Sequence, residues 1–176
     1  MAIAISPDGR KAACAGMDDD HHVSVLDLES GKVITTVKGS KKIIMKIVWT
    51  NDNEFVTAGI KLFKYWTLSG RGLTGNEGKD KGYYVSIACD RDSGIVYTGE
   101  SKGMVRMWRQ TSSSKPIILQ CPTNKEKGVS VVDSLLVHKD HLLAGTKDGY
   151  LYVLDKSSGN VLNSFSMKGF FAKSGV

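Results

Sequence analysis

Apolar and polar residues alternate along this chain in short runs with a period of two, and turn residues divide the runs. In the first forty residues the runs are Ala2 to Ser6, Lys11 to Ala15, Val23 to Leu28 and Val33 to Val37. Ser6-Pro7-Asp8-Gly9, the Asp18 to His22 segment and Ser30-Gly31 lie between them. Pro presets φ, Gly permits positive φ, and Asp or Ser bonds its own local backbone, so each break is a turn with a mechanism. The next runs are Met45 to Thr50, Glu54 to Ala58, Ile60 to Leu68 and a weak Arg71 to Thr74, followed by Val85 to Asp90, Gly94 to Thr98, Met104 to Gln110 and Pro116 to Gln120. The last are Val131 to Val137, His141 to Ala144, Tyr150 to Leu154 and Val161 to Phe165. No stretch carries the i, i+3, i+4, i+7 apolar pattern over three turns, so the expectation is strand throughout.

The runs group in fours. Gly16, Gly59, Gly99 and Gly145 each follow a small residue (Ala15, Ala58, Thr98, Ala144), at spacings of 43, 40 and 46. The third run of each group ends on a bulky apolar residue, Leu26, Trp66, Trp108 or Leu154, at spacings of 40, 42 and 46. Lys38-Gly39, Lys81-Gly82, Lys127-Gly128 and Lys168-Gly169 close the groups. A period of about 40 to 45 residues with four strands per unit is the signature of β-propeller blades. The expected fold is therefore all-β: four four-stranded blades at residues 2–39, 40–82, 83–128 and 129–169, with a tail at 170–176. Small residues at the narrow end of an inner strand would let neighbouring sheets approach, and the tryptophans would fill the wider space between blades. A β-sandwich with many short strands is the alternative.

Composition adds the class of partner. No run approaches the 18 apolar residues of a membrane span, and Met1 leads into the first strand without a secretory leader pattern. Cys14, Cys89 and Cys121 are odd in number and share no short spacing, so a reducing compartment is the economical reading. The 24 Lys and Arg exceed the 18 Asp and Glu, giving a net charge of +6. Lysines gather in the connections between units: Lys38, Lys41, Lys42 and Lys46, then Lys79 and Lys81, then Lys125 and Lys127. These connections should share one rim and form an interrupted basic arc suited to an acidic partner. Lys41, Lys42, Lys46, Lys79, Lys81, Lys125 and Lys127 are the candidate partner-binding residues. Solvated loop lysines that only keep the chain soluble are the competing explanation.

Several constellations imitate catalytic chemistry. Gly70-Arg71-Gly72-Leu73-Thr74-Gly75 spells G-x-G-x-x-G, yet a dinucleotide site needs a helix to open at the third glycine, and a polar segment from Asn76 to Gly82 follows. His138 and His141 form H-x-x-H without a third ligand in reach by sequence. Asp18 to His22 is a ligand-rich turn that turn chemistry already explains. No serine sits in a G-x-S-x-G elbow and no cysteine has a recognisable base partner. The expectation is a chain that is not an enzyme, with no cofactor, metal or small-molecule substrate; nucleic acid and membrane are not expected partners.

The units resemble WD repeats. Where the WD dipeptide would stand, the chain has Leu26-Asp27, Trp66-Thr67, Trp108-Arg109 and Leu154-Asp155; the Asp-Gly turn survives as Asp148-Gly149, and Gly-His is missing throughout. The resemblance implies that the His-containing hydrogen-bond network of regular WD blades does not form. A narrower likeness lies from Phe55 to Trp108: Gly59-Ile60-Lys61-Leu62-Phe63-Lys64-Tyr65-Trp66-Thr67 leads to Gly72-Leu73-Thr74 and then Thr98-Gly99-Glu100-Ser101-Lys102-Gly103-Met104-Val105-Arg106-Met107-Trp108. This stretch resembles the echinoderm microtubule-associated-protein-like family. That resemblance implies a cytoplasmic, cytoskeletal protein-interaction module that binds tubulin or microtubules, and no tubulin-contacting residue of the family carries over. The alternative is a general WD scaffold of ciliary or trafficking complexes. Four units are few for a closed ring, so the first and last blades should expose apolar faces and invite self-association through the open ends.

Overall fold

A computed structural model describes residues 1–109, 115–120 and 130–167. Sixteen strands form four antiparallel four-stranded sheets, and no helix occurs among the described residues. Sheet I holds β1 (Ala2–Ile5), β2 (Lys11–Ala15), β3 (Val23–Asp27) and β4 (Val33–Val37). Sheet II holds β5 (Ile44–Asn51), β6 (Glu54–Gly59), β7 (Leu62–Ser69) and β8 (Gly72–Glu77). Sheet III holds β9 (Tyr84–Asp90), β10 (Ile95–Glu100), β11 (Met104–Trp108) and β12 (Ile117–Gln120). Sheet IV holds β13 (Val132–His138), β14 (His141–Thr146), β15 (Tyr150–Asp155) and β16 (Val161–Ser166).

Each sheet pairs its strands in chain order, and the first strands lie side by side: β1 against β5, β5 against β9, β9 against β13. First strands are therefore innermost and fourth strands outermost, the arrangement of propeller blades. Among the described residues β13 and β1 do not pack in this way, so the arc is open.

The hydrophobic cores sit between sheets. Ala13, Ala15, Val23 and Val25 of sheet I pack on Trp49, Phe55 and Trp66 of sheet II. Val56, Ala58 and Phe63 of sheet II pack on Tyr84, Val96 and Trp108 of sheet III. Tyr97, Val105 and Met107 of sheet III pack on Leu142, Ala144 and Leu154 of sheet IV. Successive side chains of a strand point to opposite faces, so Phe55 and Thr57 of β6 face sheet I while Val56 and Ala58 face sheet III. Each inner sheet thus has a backward face toward the preceding sheet and a forward face toward the next. This explains why β6 and β10 are buried nearly end to end.

The small residues lie on the second strands, one position out from the axis. The pairing revises the sequence reading in two places. The repeated glycines are not all equivalent. First strands β5, β9 and β13 each carry one extra residue (Met45, Val85, Asp133) in a bulge opposite Ala58, Gly99 and Gly145 respectively, which aligns those three and sets Gly59 one residue later. A Cβ on Gly99 would stand 2.6 Å from the Val132 carbonyl oxygen, so this position admits the backbone of the next sheet only as glycine. Finally, Ile60 leaves the third strand to bridge Tyr83, and Lys61 turns the hairpin at φ 53°, while the weak fourth strand is the fully paired β8.

Two of the tryptophans bond buried threonines of their own sheets. Trp66 Nε1 donates to Thr57 Oγ1 and Trp108 Nε1 to Thr98 Oγ1, each at 2.9 Å and each buried. In the pairing register Leu26 and Leu154 take the Trp position of sheets I and IV, and Cys14 and Ala144 take that of Thr. Donor and acceptor are lost together there, which leaves no orphaned polar group; a lone loss would cost the desolvation of the remaining partner.

Candidate protein-interaction surface

Antiparallel order fixes what each rim of the arc contains. Connections from a fourth strand to the next first strand share one rim with the turns between second and third strands; backbone bonds from Lys61 N to the Gly82 carbonyl (2.8 Å) and from Gly39 N to the Asp20 carbonyl (3.2 Å) stitch them together. Lys41, Lys42, Lys79 and Lys81 lie on this crossover rim. Lys46 does not lie on a connection: it is an exposed residue of β5, set on the inner strand beside the Met45 bulge. Lys125 and Lys127 fall outside the described residues.

These lysines differ in freedom. Lys42 pairs with Glu77 at 3.2 Å, whereas Lys41, Lys46, Lys79 and Lys81 are exposed and form no ion pair among the described residues. Sequence reasoning passed over two more lysines of the rim, Lys61 and Lys102, because each sits in a hairpin turn and not in a connection. It also passed over two exposed apolar side chains between them, Ile43 (46% exposed) and Tyr83 (43%). Lys61 Nζ stands 6.0 Å from the centre of the Tyr83 ring.

The backbone carrying these groups is held firmly. Arg106, largely buried, donates through Nε to Glu100 and through its terminal nitrogen to Asp80, so the carboxylate between Lys79 and Lys81 turns inward. Gly82 N donates to the Tyr84 hydroxyl at 2.9 Å, and Ser101 N to the Tyr83 carbonyl at 3.1 Å. Burial pushes the Tyr84 hydroxyl well above its ordinary range, so it stays a neutral acceptor. On the first connection, Lys64 Nζ donates to the Gly39 carbonyl at 3.0 Å and lies 4.2 Å from the Trp66 ring centre. Burial lowers the Lys64 ammonium below its usual value. One acidic stretch bounds the basic arc: Asp18 pairs with His22 at 2.7 Å and Asp20 with Lys38 at 2.8 Å.

The opposite rim holds the two-strand turns, and there the carboxylates are spent on local backbone. Hydrogen bonds from the Ser30 amide and hydroxyl hold Asp27 below the usual carboxylate range, and those from Ser158 do the same for Asp155. Asp8 is lowered by the Ser6 hydroxyl and the Arg10 amide. This rim also carries exposed cations in its turns, Arg10, Lys32, Arg71, Arg91 and Lys139, so the rims differ in the local capping of their acids and not in the presence of basic groups.

The motifs that imitate chemistry resolve into structure. Gly70 turns the β7–β8 hairpin and Gly72 to Gly75 continue as β8, so no helix N-terminus forms at the G-x-G-x-x-G. A Cβ on Gly75 would meet the Trp66 ring at 2.7 Å, so the glycine makes room for the indole. His138 and His141 pair opposite each other at the tip of the β13–β14 hairpin. Among the described residues no three His, Cys, Asp or Glu side chains converge as for a metal ion. A cleft of about 560 Å³ between β9 and β13 is lined by Ile87, Cys89, Asp92, Leu135, Val137 and Asp140. Neither histidine reaches it, and burial pushes the Cys89 thiol up to about 11, which keeps it protonated at neutral pH. No helix among the described residues is long and apolar enough to cross a membrane.

Comparison with known proteins agrees with the architecture. The chain is 24% identical over 186 residues to the ciliary WD repeat-containing protein ctxp80 of Euplotoides octocarinatus, a match covering 96% of this chain and 25% of that protein. It is 26% identical over 117 residues to echinoderm microtubule-associated protein-like 4 of Mus musculus, covering 63% of this chain and 11% of the relative. To echinoderm microtubule-associated protein-like 1 of Homo sapiens it is 26% identical over 114 residues, covering 61% and 14%. The chain thus spans a quarter or less of the length of these relatives. No protein-family model matches. The four sheets are an open arc of WD-type propeller, similar to WD-repeat and echinoderm microtubule-associated-protein-like proteins.

Proposed function

We propose that this arc is a non-catalytic protein-interaction module whose crossover rim binds an acidic protein surface, with tubulin in assembled microtubules as the partner. WD-repeat relatives point to the module, and the names of two relatives point to microtubules. The observation that carries the surface is the row of unpaired Lys41, Lys79 and Lys81, with Tyr83 and Ile43 exposed among them on a rigidly bonded backbone. Lysines steer an anionic partner and speed its encounter, while a half-exposed tyrosine supplies contact area at low entropic cost. The setting is then cytoplasmic and cytoskeletal. A second reading, a scaffold within a ciliary complex without tubulin contact, is favoured by the match to ctxp80 over nearly the whole chain.

Co-sedimentation with taxol-stabilised microtubules separates the two. The expected result is salt-sensitive pelleting that falls at least tenfold in affinity when Lys41, Lys79 and Lys81 are reversed to Glu, since several charge contacts are lost at once. Unchanged pelleting in the triple variant removes the rim from the mechanism. Absence of pelleting by the unaltered chain, with capture of a defined tubulin-free complex, supports the scaffold instead.

A further inference from the structure

Side chains of β11 alternate between two faces. Val105 and Met107 join the core shared with sheet IV, so Met104, Arg106 and Trp108 turn toward sheet II, where Trp108 completes the core and Arg106 and Met104 climb toward the crossover rim. The Arg106 side chain is only 13% exposed. Its Nε donates to Glu100, itself 3% exposed, and its Nη1 to Asp80. A guanidinium carries N–H donors on all three of its nitrogens in a rigid fork, and Nη2 has no acceptor among the described residues. No buried side-chain nitrogen there is left unpartnered, so Nη2 opens to solvent.

Two hollows meet at this arginine. One, of about 280 Å³, is lined by Lys79, Asp80, Arg106, Lys115, Pro116 and Ile118. The other, of about 180 Å³, is lined by Lys81, Tyr83, Glu100, Lys102, Met104 and again Arg106. Small-molecule sites run to roughly 300–1,000 Å³, so each hollow is the size of a side chain and not of a cofactor. Both carboxylates in the lining, Asp80 and Glu100, are bonded to Arg106, whereas Lys79, Lys81, Lys102 and Lys115 are exposed and form no ion pair among the described residues. Tyr83, Met104, Pro116 and Ile118 add apolar wall; Ile118 stands opposite Arg106 in the β11–β12 pairing and is 50% exposed. A carboxylate on a hydrocarbon stem satisfies both kinds of wall. A bare phosphate would meet the cations and leave the apolar wall uncovered.

We infer that the two hollows flanking Arg106 hold two glutamate side chains of an extended acidic peptide segment, two residues apart along it. Alternate residues of an extended segment face the same way, and the hollows share the Arg106 wall. Nη2 donates to one carboxylate, a charge-assisted bond of the stronger class, and the flanking lysines hold the other. The assignment rests on the crossover rim being the protein-binding surface, and it narrows the partner to a chain that offers Glu-x-Glu in extended form.

Fluorescence anisotropy of the 176-residue chain with a fluorescein-labelled peptide alternating Glu and Thr tests it. The Glu peptide should bind on the order of tenfold more tightly than its Gln counterpart. Lys102→Glu and Ile118→Glu place a carboxylate at exposed positions, one in each hollow, so both should keep the far-ultraviolet strand spectrum and weaken the Glu peptide by about tenfold. Lys32→Glu, on the opposite rim, makes the same change in net charge as Lys102→Glu and should shift binding by less than about twofold, because screening confines the effect of an exposed charge to its neighbourhood. Equal binding of the Gln peptide, insensitivity to both hollow variants, or an equal loss in Lys32→Glu overturns the inference. A uridine oligonucleotide that binds more tightly than the Glu peptide overturns it in favour of nucleic acid. If the Glu peptide does not bind while microtubules still pellet in a manner sensitive to Lys41, Lys79 and Lys81, this inference fails alone; if the Glu peptide binds as expected and microtubules do not pellet, the inference stands and the tubulin assignment fails.

Discussion

The junction between sheets II and III and the junction between sheets III and IV use the same strand positions with different chemistry. The first is aromatic: Phe63 stacks on Trp108 with ring centres 3.7 Å apart and planes 6° from parallel, and Tyr84 meets both edge-on. The second is mostly aliphatic, with Leu154 where Trp108 stood, and it adds a polar tie. Lys156 pairs with Asp90 at 3.0 Å, and the Tyr97 hydroxyl donates to the Lys156 carbonyl at 2.9 Å. The III/IV junction lacks the indole and its threonine, and polar contacts across the sheets stand there instead. The two junctions thus share strand positions and differ in their means of cohesion.

Three substitutions sharpen this contrast. Trp108→Ala should have the largest effect, about 3–5 kcal/mol in urea unfolding, because it empties the stack and leaves Thr98 without its donor. If the loss is below about 1 kcal/mol, the aromatic junction does not hold the arc. Asp90→Asn should cost about 1–3 kcal/mol and leave the II/III junction intact. Burial works to raise the Asp90 carboxyl, but the Ser93 hydroxyl and Lys156 ammonium outweigh it and hold the group below its ordinary value. A depressed carboxylate stabilises the fold above its unfolded value, about 3.9, and loses that contribution as pH falls through the folded one. The variant and the unaltered chain should thus differ in melting temperature at neutral pH and converge below about pH 4. Equal melting at pH 7 would show that the polar tie adds nothing. Tyr97→Phe should have the smallest effect, about 0.5–1.5 kcal/mol, by removing one bond to a backbone carbonyl.

Much of this was legible in the sequence because turns and alternation are local. Ser6-Pro7-Asp8-Gly9 and Ser30-Gly31 mark their hairpins by turn chemistry alone, and the tryptophan spacing of 42 between Trp66 and Trp108 gave the unit length. What escaped depends on pairing across strands. The glycine spacing of 40 between Gly59 and Gly99 departs from the tryptophan spacing because Gly59 aligns with Glu100 and the β6–β7 turn is shorter; only the bulges at Met45 and Val85 reveal that offset. The weak run from Arg71 to Thr74 reads as a poor strand because Gly72 and Gly75 lower its propensity, yet Gly75 is needed where Trp66 lies across β8. Of the candidate surface, the connection lysines were visible by position. Tyr83 and Ile43 were not, since each lies on a connection just before its strand and its exposure depends on neighbours that only the pairing of strands brings together.

Because every core is shared by two sheets, the residues bound to change in concert belong to different repeats. Phe63 answers to Trp108 and not to Trp66 in its own sheet, and Tyr97 answers to Lys156 across the gap. A repeat of this kind cannot be exchanged whole for another copy of itself; what heredity can trade freely is the gap together with both of its walls.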